Sequence, residues 1–393
     1  MSSNLRSAFP FFSSNPNTVY LDNAATTQKP QPVIDSVVKF MAEQNSNTGR
    51  SLYSLSSAAS RILLDSRAGV ASFINADTDE IIFTKGCTEA LNMVASSILR
   101  RGLKGNIVIT ELEHSSNYAP WLDCCRSSGI ELKVAEVDPD GSLNPESVMS
   151  LIDGETLVVS ISGMSNVTGF MPEVPRICHF AKKHGVLSLI DAAQLAVHKA
   201  IDVREIGCDF LCFSGHKLYG PQGVGVLYAE KAAQACLVPL ELGGGAVETD
   251  YSVRKGIPGF EAGSPNIAGI VGLHSAIDYL KRHDNEIKQA EDELSDYLFS
   301  SLRRLPFVRA INGHPSPIVS FTIRDMGCYD VGTLLAQRGI CIRTGACCAY
   351  DLMRTLNLEG VCRVSLSFYN TRTEIDRLVE GLAWIYGRSG EKR

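Results

Sequence analysis

Short, nearly continuous apolar runs alternate with segments of helical periodicity along the first two thirds of the chain. Val19-Tyr-Leu21 leads into a turn of polar and small residues, Asp22-Asn-Ala-Ala-Thr-Thr27. Val33, Val37, Val38 and Met41 recur at helical spacing over 32–44, and a second helical run covers 57–74. Strands are predicted at 80–83, 106–110, 132–137, 157–162, 186–190 and 209–213. Helices are predicted at about 89–99, 117–125 and 172–184, with a short one between the third and fourth strands, and Cys124-Cys125 is expected to end its helix. Apolar strands separated by helices indicate an α/β fold, a mainly parallel sheet covered on both faces. Such sheets bind ligands at the carboxyl ends of their strands.

Near Asn266 the pattern changes. Two longer helices are predicted at 266–282 and 287–302, strands at 318–323, 340–343 and 362–368, and a final helix at 372–386. This predicts a large domain over 18–270 and a smaller C-terminal α+β domain over 271–393, with residues 1–17 packed on the smaller one. The chain shows neither internal repeats nor low-complexity segments.

With 393 residues, 20% charged and 45% apolar, the chain has the profile of an ordinary globular protein. A net charge of −6 without a basic block argues against a nucleic-acid partner. No apolar run is long enough to cross a bilayer, and the N-terminal residues lack the apolar centre of a secretion signal, so a cytoplasmic location is expected. Twelve cysteines in a chain this long do not form a disulfide framework. None of their spacings is that of a zinc site, so no metal is expected.

The candidate chemistry sits where strands end. Lys217, in Ser214-Gly-His216-Lys217, follows the strand 209–213. A lysine in a desolvated pocket loses proton affinity and becomes a nucleophilic amine, although a solvated loop lysine is the plainer reading of this stretch alone. Asp191, with Gln194 after it, ends the strand 186–190; it would pair with a protonated heterocycle or simply cap a turn. Gly86-Cys87-Thr88 opens a helix, where free N–H groups favour an anion such as phosphate. His114 follows another strand turn. The Gly220–Gly225 run has the wrong order for a dinucleotide loop. An amine, an acid and an anion cradle together are what pyridoxal 5′-phosphate requires.

Leu21-Asp-Asn-Ala-Ala-Thr26, Gly86-Cys-Thr-Glu89, Glu113-His114, Ser165-Asn166, Asp191-Ala-Ala-Gln194, Ser214-Gly-His-Lys-Leu-Tyr-Gly-Pro221, Phe260-Glu-Ala-Gly-Ser-Pro-Asn266, Arg343-Thr-Gly-Ala-Cys-Cys-Ala349 and Cys362-Arg363 follow one another in the chain. In that order they resemble the class V aminotransferase family of fold-type I pyridoxal-phosphate enzymes, most closely the group II cysteine desulfurases and selenocysteine lyases. The resemblance implies a homodimer in which Lys217 forms a Schiff base with the cofactor, Asp191 pairs with its ring nitrogen and Gln194 with its ring hydroxyl. His114 would stack on the ring; Cys87, Thr88, Ser214 and His216 would hold the phosphate, with Ser264 reaching in from a second subunit. Asn166 and Arg363 would bind the substrate carboxylate, and Asn23, Ala24, Arg50 and Arg343 would border the substrate.

The same resemblance makes Cys348 the persulfide-forming thiol. L-Cysteine, or a related thio- or seleno-amino acid, would be the substrate, with the sulfur passing to an acceptor protein or small thiol, as in iron–sulfur cluster assembly. Three departures from the family pattern touch the substrate pocket. These are Gly49-Arg-Ser-Leu-Tyr53, Ala346-Cys347 before the reactive cysteine, and a short segment between Gly245 and Phe260. A selenocysteine lyase, another C–S lyase, an aminotransferase or an epimerase on the same scaffold therefore stay open, as does a non-catalytic sulfur relay.

Overall fold

The structure is a computed structural model that describes residues 3–49 and 52–390. Its strands are β1 (Val19–Tyr20), β2 (Ile81–Thr84), β3 (Asn106–Thr110), β4 (Glu131–Ala135), β5 (Thr156–Ser162), β6 (Leu187–Asp191), β7 (Phe210–Ser214), β8 (Gly225–Ala229), β9 (Val308–Ala310), β10 (Ile318–Ile323), β11 (Ile340–Cys341), β12 (Arg343–Gly345) and β13 (Val361–Ser365). A seven-stranded sheet in the order β2-β8-β7-β6-β5-β3-β4 forms the centre. All its pairings are parallel except those of β8, which runs antiparallel to both neighbours.

The continuous apolar runs are explained by burial on both faces. Ile107 and Ile109 of β3 and Phe210 and Cys212 of β7 enter one core cluster. Their neighbours Val108, Leu211 and Phe213 enter the other, as the two-residue repeat of a strand requires. The parallel strands bring Thr110, Ser162, Asp191 and Ser214 to one edge of the sheet. The helix Cys87–Arg100 starts beside that edge, because Gly225 in β8 lies against Gly86. A Cβ on Gly225 would come within 2.5 Å of Gly86 Cα, so only glycine lets the helix start approach this closely.

A four-stranded sheet, β12-β13-β10-β9, is built from the C-terminal third and carries the helices Asp284–Arg303 and Arg372–Gly390. Three sequence expectations are corrected here. The strand expected at 340–343 breaks at Ile342: β11 pairs with β1, while β12 joins the four-stranded sheet. Val19 and Leu21, assigned by sequence to the large domain, pack in the C-terminal core because β1 adds to β11 there. Cys124 and Cys125 lie inside the helix Ala119–Ser128, which continues until Gly129 adopts a left-handed conformation. The segment before Val19 wedges between the two parts. Phe9 packs its ring against Tyr219, Tyr279, Phe368 and Tyr369. Arg6 pairs with Glu374. No described helix is long and apolar enough to cross a membrane.

Glu113 shows how the strand ends are tied together. It is buried, and its carboxyl group accepts from Thr110 Oγ1 (2.6 Å), Asn117 Nδ2 (2.6 Å), Ser162 N (3.0 Å) and Ser162 Oγ (2.7 Å). Burial raises its pKa to about 7, against the opposing effect of those hydrogen bonds. The folded protein therefore keeps a proton that the unfolded chain releases between pH 4.5 and about 7. The stabilisation is complete below that window and lost as pH rises through it. Wild-type stability relative to Glu113→Gln is expected to fall across this range by up to about 3 kcal/mol, read from denaturant titrations at several pH values. Gly225→Ala is expected to destabilise the protein by roughly 1–3 kcal/mol in the same assay, because the helix start must move off the sheet.

Candidate active site

The strand ends open into a cleft of about 490 Å³ lined by groups from both parts of the chain. Lys217 follows β7 and lies half-buried in it. No group among the described residues hydrogen-bonds to or pairs with its Nζ. Burial lowers the pKa of the amine, with Asp191 and Cys87 acting in the opposite direction. Asp191, the last residue of β6, is buried; its Oδ1 accepts from Ala193 N (2.9 Å). Gln194 donates from Nε2 to Ala24 O (2.8 Å), which ties the first turn of the chain to the end of β6.

His114 forms one wall. Its Nδ1 accepts from Ser116 N (3.1 Å), so the neutral ring carries its proton on Nε2. Burial, reinforced by Lys217, lowers its pKa and keeps the ring neutral. At the helix start, Cys87 N donates to Ser214 Oγ (2.8 Å), and Thr88 Oγ1 is 2.9 Å from Ser116 Oγ. His216 completes this corner with a buried Nδ1 that has no partner. Its pKa falls to about 4, first through burial and then through Lys217 and Lys29.

Opposite stand two arginines. Arg363, from β13, is buried; it donates to Asn166 O (3.0 Å) and to Asp22 Oδ1 (2.9 Å), and its Nε has no partner. Arg343, from β12, reaches Asp22 Oδ2 at 3.2 Å and is exposed. Asp22 thus clamps both guanidinium groups.

Cys347 and Cys348 adopt left-handed backbone angles, φ 51° and 57°, which non-glycine residues seldom take. Two hydrogen bonds hold them there: Asn166 Nδ2 donates to Cys347 O (2.8 Å), and Ser115 N donates to Cys348 O (2.7 Å). The loop is anchored to the cleft walls. Cys348 is exposed at the mouth; Cys347 is half-buried. Burial raises the Cys347 pKa, opposed by Arg363 and Arg343, so the field of the arginines falls on this thiol.

Of the residues singled out from sequence, Ala24, Cys87, Thr88, His114, Asn166, Asp191, Gln194, Ser214, His216, Lys217, Arg343, Cys348 and Arg363 line this cleft. Asn23 does not. Its Nδ2 donates to Ser365 O (2.7 Å) and Asn370 Oδ1 (3.1 Å), and its Oδ1 accepts from Tyr369 Oη, so the side chain is committed to the core. Ser264 is exposed in a separate cavity of about 1130 Å³. A third cleft of about 570 Å³ links the two cavities, sharing Thr88, Ser214 and His216 with the first and Lys85, Glu89 and Gly223 with the second. Arg50 lies outside the described residues. Sequence reasoning did not single out Asp22, Glu113 or Ser116 for a role. The first two lay inside quoted motifs, but only the fold shows what they hold.

Comparison with known proteins identifies the family and the fold. The aminotransferase class-V family model matches residues 19–378. A cysteine desulfurase of Serratia proteamaculans is 41% identical over 97% of both chains, and one of Pectobacterium atrosepticum is 39% identical over the same shares. Among solved structures, the Escherichia coli cysteine desulfurase CsdA in its S-sulfonic acid form superposes with a TM-score of 0.90, at 32% identity over 98% of both chains. An apo cysteine desulfurase from Thermococcus onnurineus gives 0.92, at 31% identity over 97% of both. With its strand-end cleft and a family match running almost from end to end, the chain belongs to the class V aminotransferases.

Proposed function

We propose that this protein is a cysteine desulfurase that uses pyridoxal 5′-phosphate to remove sulfur from L-cysteine, leaves L-alanine, and carries the sulfur as a persulfide on Cys348. One observation carries the reading: an unpaired lysine amine and an exposed cysteine thiol share one cleft with a buried arginine. Relatives covering 97% of the chain bear the same activity in their names.

The family depends on pyridoxal 5′-phosphate. The donor set of this cleft fits that group. The partnerless His216 Nδ1, Ser214 Oγ and the first N–H groups of the helix Cys87–Arg100 suit a phosphate. Asp191 suits a protonated ring nitrogen, and the free Lys217 amine suits an aldehyde. When bound, the cofactor supplies an electron sink for the carbon skeleton of an amino acid. Gln194 stands beside Asp191 to meet the ring hydroxyl, and neutral His114 offers a flat face.

The remaining chemistry belongs to the chain's own groups. Arg363, oriented by Asp22 and Asn166, takes the substrate carboxylate, with Arg343 at the entrance. Lys217, its proton affinity reduced by burial, moves the proton at the substrate Cα. The Cys348 thiolate attacks the substrate sulfur. A Cys348 Sγ–S bond forms, the substrate Cβ–S bond breaks, and the carbon fragment keeps the electron pair and is protonated to alanine. A thiol of an acceptor protein or a small molecule then takes the outer sulfur by exchange. We further propose a homodimer in which the face around Ser264 meets the partner. Leu64 on the larger cavity is 62% exposed, and the linking cleft leads from there to His216.

Cys348→Ser is expected to lower alanine release from L-cysteine on the order of 10²-fold or more while cofactor binding is retained; Cys347→Ser should keep most of the activity. Mass spectrometry of the wild-type peptide spanning both cysteines should find one added sulfur on Cys348. Full alanine release by Cys348→Ser would falsify the assignment, and pyruvate with ammonia as products would mark a β-eliminating lyase instead. Asp22→Ala, which frees both arginines, is expected to raise KM for cysteine roughly tenfold with a smaller change in kcat, measured by steady-state kinetics.

A further inference from the structure

Cys87 touches both ends of the cradle. Its backbone N–H donates to Ser214 Oγ, at the corner suited to phosphate, and its Sγ lies 3.3 Å from Asp191 Oδ1. The same sulfur is 3.3 Å from Cys212 Sγ and 3.7 Å from Cys212 O; Cys212 Sγ is in turn 3.7 Å from Ile190 O. All three side chains are buried.

The hydrogens can be assigned from chemistry. Contact with Cys212 and burial hold the Cys87 pKa well above the ordinary value, and burial raises that of Cys212, so both are thiols at neutral pH. Each has one hydrogen to donate. Cys212 can direct its hydrogen to Ile190 O. Cys87 faces a carbonyl, a neutral sulfur and a carboxylate oxygen, and the charged oxygen is the strongest acceptor. Asp191 Oδ1 then has two protein donors, the Cys87 thiol and Ala193 N–H. Oδ2 is left for the cleft.

Cys87, Asp191 and Cys212 are also the one cluster of metal-ligand composition among the described residues. Two thiolates sharing a tetrahedral zinc ion would stand roughly 3.8 Å apart, wider than the observed contact. A carboxylate claimed by a metal would also be unable to serve the cleft. Hydrogen bonding is the better account.

We infer that Cys87 is a positioning residue for Asp191: its thiol, donating to Oδ1, fixes the carboxylate so that Oδ2 faces the cofactor's ring nitrogen as an anion. The inference rests on the role proposed above for Asp191. It assigns a task to a side chain for which the phosphate corner needs only the backbone.

The test compares holoenzymes of Cys87→Ala, Cys87→Ser, Cys212→Ala and Asp191→Asn with wild type. Two readouts are used: the dissociation constant of pyridoxal 5′-phosphate, by equilibrium dialysis, and the pH midpoint of the bound cofactor's visible absorbance. Cys87→Ala should weaken cofactor binding roughly tenfold and move the midpoint by at least about half a unit. Cys87→Ser keeps a donor and should restore both to near wild type. Cys212→Ala removes neighbouring volume but not the donor, and should leave the midpoint in place. The inference is overturned if Cys87→Ala titrates as wild type, if Cys87→Ser behaves like Cys87→Ala, or if Cys212→Ala moves the midpoint equally. Asp191→Asn separates the two levels. If it changes neither readout, the reading of Asp191 itself falls; if it changes both while Cys87→Ala changes neither, only the role of Cys87 falls.

Discussion

A polar group buried without a partner costs on the order of 1–3 kcal/mol, and this cleft gathers several. The neighbouring His216 and Lys217 meet the distant Arg363 at one cleft, where His216 Nδ1 and Arg363 Nε are buried without partners and the Lys217 amine also has none among the described residues. His216 Nδ1 and Arg363 Nε are closed to solvent. Such an arrangement is stable only because the surrounding sheet is rigid enough to hold it. His216 and Lys217 follow the end of β7 and Arg363 lies within β13, buried strands whose positions are set by the core and not by the groups themselves. What these atoms lack sets the character of the cleft: an imidazole nitrogen, an amine and a guanidinium nitrogen face it without protein partners.

The two parts of the chain depend on one another through few but well-placed contacts. Asp22 follows β1, which belongs with the C-terminal strands, and its two oxygens hold Arg343 and Arg363. Ala24, two residues on, holds Gln194 at the end of β6. A single turn near the N-terminus therefore fixes the spacing between the two arginines and the end of β6 that carries Asp191. Asn166 does the same from the other side, giving its carbonyl to Arg363 and its amide to Cys347 O.

Much of this was legible in the sequence. Apolar runs at β2, β3, β5, β6 and β7 marked the sheet, and Lys217, Asp191 and Cys87-Thr88 stood just past the ends of three of them. What stayed hidden depended on register and direction. The adjacent residues Asn23 and Ala24 face different ways, one into the core and one into the cleft, and no periodicity covers a two-residue turn. The split between β11 and β12 falls within one apolar stretch and is decided by which partner strand each half meets. Asp22 meets Arg363 across 341 residues of chain, and Cys87 meets Cys212 across 125. Pairings of that kind follow from three-dimensional closure and leave no local signal.

The left-handed pair at Cys347 and Cys348 bears on how sequence motifs are read. Position 347 contributes a carbonyl oxygen to Asn166, an atom every amino acid possesses. Its side chain is half-buried and takes no part in that bond. A motif comparison sees only side chains, so this supporting contact lies outside what a departure at 346–347 can report. Substitution at such a position meets its first constraint in the backbone conformation. A different side chain at 347 that tolerates the left-handed conformation would leave the bond that seats the neighbouring thiol in place.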